Sequence, residues 1–372
     1  MPSIYLHIPF CKQACHYCNF HFTTSLHYKD DVVAAICKEA VLQKEYTGKG
    51  IIETIYFGGG TPSLLDKDDL EQILQTIHMH FPVDANAEIT LEANPDDITA
   101  KKLQDWKAVG INRLSMGVQS FFEEDLQWMN RAHHATEALS SIKLALDYFD
   151  NITIDLIYGS PGLTNEKWKE NVKTAIQLGI PHLSCYALTV EPKTPLDKLI
   201  RLQQKADVDP DAQSAQFLLL MEWMAAAGYE HYEISNFAKP GWRSKHNSAY
   251  WQGKTYLGLG PAAHSFNGSE RQWNVSNNNL YVAAIQKGEL PIEKETLTPD
   301  QQLNEYVMTA LRTMEGIQLN ILDEKHGVDA IAFRKKAAGY IHTGHITEKN
   351  GCLILTNEGK LLADGIAASL FV

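Results

Sequence analysis

Three cysteines crowd into eight residues of the segment Pro9-Phe10-Cys11-Lys12-Gln13-Ala14-Cys15-His16-Tyr17-Cys18-Asn19-Phe20. Their spacing is Cys-x3-Cys-x2-Cys. Thiolates are soft, charged ligands that suit iron–sulfur clusters and zinc. One loop of this spacing can wrap three corners of a cubane [4Fe–4S] cluster and leave the fourth iron open to an incoming ligand. The competing expectations are a Cys3His zinc site, with His7, His16 or His21 as fourth ligand, and three buried structural thiols. Cys37, Cys185 and Cys352 are scattered. The first two fall in helix and strand patterns and are expected as small buried hydrophobes. Such a cluster of thiols in a reducing compartment points to metal or redox chemistry rather than a disulfide framework.

A second set of candidates sits where strand patterns end. Gly58-Gly59-Gly60-Thr61-Pro62 follows an apolar run, and successive glycines let a backbone approach a ligand closely. The alternative is a tight turn. Glu92, Gln119, Arg131 and Asp155 also stand at or just past strand ends. Each alone reads equally well as an ion-pair or capping residue.

These groups need a scaffold, and the first two-thirds of the chain supplies the signals for one. Strands are predicted at Ser3–Ile8, Ile51–Phe57, Glu88–Leu91, Asn112–Met116, Ile152–Ile157 and His182–Leu188. Helices are predicted between them, at Tyr28–Tyr46, Leu70–Phe81, from the Thr99 cap to Gly110, at Thr136–Tyr148 and at Asn165–Leu178. Six such units imply an α/β fold, a partial (β/α)6 TIM-type barrel with its chemistry at the C-terminal strand ends. Glu191–Pro210 reads as a long connection, Ala212–Ala227 as a helix, and Ser235–Ser276 as packed irregular structure. Helices at Gln301–Met314, Ile331–Tyr340 and Glu358–Leu370 flank a hairpin turning at Asn350-Gly351, which suggests a small winged-helix-like C-terminal domain. The expected division is a core domain at 1–235, a connecting region at 236–297 and a C-terminal domain at 298–372.

The 372 residues carry 45 acidic against 33 basic side chains, a formal charge of −12, which argues against nucleic acid as a partner. The longest apolar run, Phe217–Ala227, is interrupted by Glu222 and falls short of the roughly 20 residues a membrane span needs. With no basic, cleavable leader pattern at Met1–Tyr5, a cytoplasmic protein is expected.

Cys-x3-Cys-x2-Cys after a first strand resembles the radical SAM superfamily signature. Tyr5-Leu6-His7-Ile8-Pro9-Phe10-Cys11 further resembles the opening of the oxygen-independent coproporphyrinogen oxidases (HemN) and their relatives, the HemW-type haem chaperones. The resemblance implies a [4Fe–4S] cluster on Cys11, Cys15 and Cys18 that binds S-adenosylmethionine (SAM) through its open iron. Electron transfer from the cluster can then break the sulfonium C–S bond. It implies that Tyr5, Tyr17, Gly59 and Glu92 touch this SAM. Gly60, Thr61, Gln119, Arg131, Asp155 and Ala187 match the oxidases' second SAM position. Lys245-His246-Asn247-Ser248-Ala249-Tyr250-Trp251 is similar to the HNxxYW pattern of the chaperones, which implies haem binding by His246, Asn247, Tyr250 and Trp251. An imidazole is a good axial ligand for haem iron, and the aromatic pair offers flat surface with polar tips. A structural turn with a packed Trp251 is the alternative for this motif.

Two departures from the oxidases bear on function. Asn19 and Phe20 stand where they carry a fourth cysteine, and the chain begins almost at its first strand, where they have an N-terminal extension. A haem chaperone is therefore expected, delivering haem to a respiratory haem protein with an electron donor and transient membrane association. Coproporphyrinogen oxidase-type chemistry in porphyrin biosynthesis is the alternative.

Overall fold

Apolar, β-branched runs that are covered on both faces make parallel strands, and six of them line up here in chain order. The computed structural model describes residues 2–372. It pairs β1 (Ser3–Ile8), β2 (Ile52–Gly59), β3 (Val83–Ala93), β4 (Arg113–Gln119), β5 (Ile152–Tyr158) and β6 (His182–Ala187), each parallel to the one before. Three of the connecting helices begin at side-chain caps. Asp66 and Asp69 form a reciprocal pair ahead of Lys67–His80, Thr99 accepts from Lys102 N, and Thr164 accepts from Lys167 N. The predicted α/β barrel core is the one observed.

Ser235–Ser276 departs from its expected irregularity. β7 (Glu230–Glu233) and β8 (Asn236–Ala238) form a hairpin, and β8 pairs antiparallel with β6. β9 (Tyr256–Leu259) lies parallel to the other edge of β1, and β10 (His264–Phe266), β11 (Glu270–Asn274) and β12 (Ile292–Thr296) continue antiparallel from it. The result is one open sheet of order β12-β11-β10-β9-β1-β2-β3-β4-β5-β6-β8-β7. These added strands are three to five residues long, too short to show a period. Gly258 belongs to this packing, because a Cβ there would lie 2.0 Å from His264 O.

Other differences are local. The connection after β6 contains a helix, Pro195–Arg201, capped by Thr194. The helices predicted at Ile331–Tyr340 and Glu358–Leu370 each break in two, giving Ala330–Lys336 with Ala338–His342 and Asn357–Lys360 with Ala363–Ser369. Glu123–Met129, Asn278–Lys287 and Leu319–His326 are helices outside the predicted set.

From Pro299 onward the chain builds a second apolar core around Leu303, Val307, Phe333, Leu353 and Ile366. A small sheet of order β13-β15-β14 supports it, made of β13 (Ile317–Gln318), β14 (Ile346–Lys349) and β15 (Cys352–Leu355). Asn350 and Gly351, at φ 53° and 75°, make the tight turn expected between its last two strands. Backbone bonds Ile234 N→Arg312 O and Met314 N→Tyr232 O tie this core to the large sheet. Among the described residues no helix is long and apolar enough to cross a membrane.

Candidate functional site

At the C-terminal ends of β1–β6 lies a cavity of about 430 Å³. Cys11, Cys15 and Cys18 line it as free, half-buried thiols. Tyr17, Gly59, Gly60, Thr61, Glu92, Gln119, Arg131, Asp155 and Ala187 line it as well. The structure thus brings together every one of the predicted cluster and SAM residues except Tyr5.

The cysteine loop is held by backbone contacts. Cys11 N donates to Thr23 O (3.0 Å), Thr61 N to Phe10 O (2.6 Å) and His16 N to Met129 O (3.1 Å). Asn130, left-handed at φ 58°, donates from Nδ2 to Ala14 O and accepts at its own carbonyl from Gln13. Gln119 is likewise left-handed at φ 68°, beside a register shift between β4 and β5. Such conformations in non-glycine residues cost about 1–3 kcal/mol and concentrate at working sites.

The histidines proposed for a zinc site are committed elsewhere. His7 Nε2 bonds His21 O (2.8 Å), His21 Nε2 bonds Asn278 Oδ1 (2.7 Å), and His16 Nδ1 lies 3.3 Å from Trp128 O. Burial pushes the Cys11 thiol up to about 11, so ionisation there needs a counter-charge such as iron supplies.

The remaining wall suits a cationic, hydroxyl-bearing cofactor such as SAM. Arg131 Nη1 lies 3.3 Å from Cys15 Sγ, while Nη2 donates to Asn94 Oδ1 (2.8 Å) and Gly117 O (2.7 Å). Its Nε is buried without a partner among the described residues. Burial and the neighbouring Asp155 push the Glu92 carboxyl up to about 7, and burial pushes Asp155 up to about 6. Two carboxyls raised in this way are short of positive charge, which an ammonium or sulfonium supplies. Beside them the Gly59–Gly60 backbone offers a close approach.

A second cavity of about 1200 Å³ opens beside the first, and Asn19, Phe20 and Tyr186 line both. Tyr5 faces this one, together with His246, Asn247, Tyr250 and Trp251. His246 lies in a short helix, Lys245–Trp251, capped by Ser244. The Glu88 carboxylate accepts from the backbone N–H groups of Lys245 and His246 (both 3.1 Å) and fixes the helix start. The ring stacks on Tyr56 at 4.8 Å, and Tyr56 stacks in turn on Tyr5 at 6.1 Å. His246 Nδ1 lies 2.7 Å from Thr54 Oγ1. Burial, assisted by Arg113, pushes the imidazole down to about 3, so it is neutral near pH 7. In the tautomer whose Nδ1 donates to Thr54, Nε2 carries the lone pair, and Nε2 has no hydrogen-bond partner among the described residues. That is the state in which imidazole ligates a metal.

The Radical SAM superfamily model matches residues 5–175, and the HemN C-terminal domain model matches residues 297–362. The chain is 35% identical to the heme chaperone HemW of Bacillus subtilis, with 98% of each chain covered. It is 38% identical to the heme chaperone HemW of Escherichia coli, with 98% of this chain and 96% of that one covered. The chain belongs to the HemW family. Its fold is also that of the radical SAM enzyme coproporphyrinogen III oxidase (HemN) from E. coli. The TM-score is 0.85 at 24% identity, covering 100% of this chain and 90% of that one.

In this HemW-family chain several residues of the site carried no signal that the sequence reading used. Tyr56 donates to Glu92 Oε1 (2.7 Å) and so joins the two cavities. Thr54, Glu88 and Arg113 set the orientation and charge around His246. Thr54 and Tyr56 share one face of β2, as do Glu88 and Glu92 on β3. Polar residues at alternate positions of a strand that is otherwise buried are the signal that could have found them.

Proposed function

We propose that this chain is a haem chaperone, with haem held in the second cavity and a [4Fe–4S] cluster with SAM in the first. The observation that carries the reading is the His246 ring, neutral, bonded to Thr54 and lining a cavity of about 1200 Å³ together with Tyr250 and Trp251. Cys11, Cys15 and Cys18 would hold the cluster, which supplies one-electron chemistry when bound. Tyr17, Gly59 and Glu92 would hold SAM beside it, and Gly60, Thr61, Gln119, Arg131, Asp155 and Ala187 would complete that wall. Tyr5 would act through the Tyr5–Tyr56–His246 stack at the haem side. Asn247, Tyr250 and Trp251 would frame the porphyrin. The loaded haem passes to an acceptor haem protein, here read as a respiratory one met transiently at a membrane. An electron donor serves the cluster, in the cytoplasm. A core at 1–235, a haem-motif region at 236–297 and a C-terminal unit at 298–372 remain the working division.

The test is an anaerobic reconstitution followed by haemin titration of wild type and His246→Ala, read at the Soret band. Saturable binding near one haem per chain, weakened in the variant, is expected. Binding indifferent to His246 would remove the chaperone reading in this form. The shared wall of Asn19, Phe20 and Tyr186 favours one second reading, a radical enzyme acting on a porphyrinogen. Turnover of coproporphyrinogen under reducing conditions would establish that reading instead.

A further inference from the structure

The second cavity carries more positive charge than a flat apolar ring requires. Lys254, Arg271 and Arg312 line it, against the single carboxylate of Glu233. Lys254 faces Glu53 at 3.5 Å. The two arginines are placed differently, because each reaches across the seam between the large sheet and the C-terminal helices. Arg271, on β11, puts Nη2 2.7 Å from Glu305 Oε1 of helix Pro299–Leu311. Arg312, just past that helix, puts Nε and Nη2 3.2 and 3.1 Å from Glu233 Oε1 on β7. Its Nη1 lies 3.2 Å from Asp364, and its guanidinium sits 5.0 Å over the Trp251 ring. Trp251 and His246 belong to one short helix, so Arg312 stands at the edge of the surface on which a porphyrin would lie.

We infer that Arg271 and Arg312 receive the two carboxylates of a dianionic porphyrin in this cavity, exchanging their contacts with Glu305 and Glu233 across the seam. This rests on the haem reading above and names the residues that select a dicarboxylate ligand. A guanidinium is a planar fork matched to carboxylate. Both forks already serve protein acids at the cavity wall, so a propionate displaces a partner instead of adding to it. Glu305 is the weaker holder, since it meets Arg271 through Nη2 alone, whereas Glu233 meets Arg312 through both Nε and Nη2. Loading therefore loosens helix Pro299–Leu311, and the fold couples an occupied cavity to the position of its C-terminal helices.

The experiment titrates the full, cluster-reconstituted chain with haemin, iron-free protoporphyrin IX and the dimethyl ester of each. Protoporphyrin reads the carboxylate contacts without the axial ligand. R271Q and R312Q should each weaken both free acids at least about tenfold, the cost of losing one charge-assisted contact, and leave the esters unchanged. E305Q should bind the acids more tightly than wild type. Amide exchange in Pro299–Leu311 should quicken with haemin and not with its ester. Equal binding of acid and ester by wild type would overturn the inference, even if the arginine variants fail to fold, and would leave the haem reading standing. Failure of wild type to bind any of the four porphyrins would overturn both.

Discussion

Replacing Gly60 with alanine should break the junction between the first strand and the cofactor site. A Cβ at this position would lie 2.6 Å from Phe10 O, 2.8 Å from Ile8 O and 2.9 Å from Phe10 N. All three are backbone atoms, so no flexible side chain can move aside. Relief requires the exit of β1 to separate from the glycine segment, which costs the bonds Gly60 N→Ile8 O (2.8 Å) and Thr61 N→Phe10 O (2.6 Å). Overpacking of about 1–3 kcal/mol and two hydrogen bonds near 1 kcal/mol each give roughly 3–5 kcal/mol. For a chain of this length that corresponds to a Tm lower by about 5 °C. Cys11 follows Phe10 directly, so iron taken up on anaerobic reconstitution should fall as well. Gly365→Ala is the control. It lies in helix Ala363–Ser369 with nothing within 4 Å of its Cβ position, and alanine there should stabilise by up to about 1 kcal/mol. A Gly60→Ala protein that melts within about 1 °C of wild type and takes up the same iron would refute the packing argument.

Three further outcomes are expected. Glu92 has its carboxyl raised from 4.5 to about 7, so its contribution to stability is fully present below pH 4.5 and is lost as pH rises through 7. Glu92→Gln should flatten this slope by about 2–3 kcal/mol, seen in urea midpoints at pH 5 and pH 8, and equal slopes in the two proteins would contradict it. Thr54→Val removes the partner of His246 Nδ1 and should weaken haemin about three- to tenfold; an unchanged titration would show that Thr54 does not orient the ring. Lys360 lies 2.9 Å from His231 Nδ1, and burial pushes its amine down from 10.5 to about 8. Its contribution is therefore complete above pH 10.5 and declines as pH falls through 8, so Lys360→Met should stabilise by about 1–3 kcal/mol at pH 7 and by nothing above pH 10.5. Thermal melts at the two pH values check this, and a destabilised variant at pH 7 would oppose it.

The barrel was legible because its information is local. β1, β2, β3 and β5 are apolar runs ended by proline, glycine or asparagine, and the thiols and glycines that follow β1 and β2 are adjacent in the chain. The surroundings of His246 were not legible, because they are assembled from a distance. Thr54 and Glu88 lie more than 150 residues away in sequence, and only the assembled sheet brings them to the ring. β9–β12 were missed for a related reason. Four short strands leave no period, and β9 owes its place to β1, with which it shares no sequence signal. Tyr5 stood beside the cysteine loop in sequence, yet the pleat of β1 turns it toward the other cavity.

The parallel pairing of β1 with β9 sets the order in which this protein can be made. β1 finds β2 soon after both are synthesised, but its second edge waits for residues 256–259. At about 5–20 residues per second, the roughly 250 intervening residues take on the order of 10–50 s. Through that interval an apolar edge stays open, the kind of template on which chains aggregate, and the loop bearing all three clustered thiols hangs from it. Iron delivered early would meet cysteines on a half-built sheet. The second edge of β1 is therefore covered only late in synthesis.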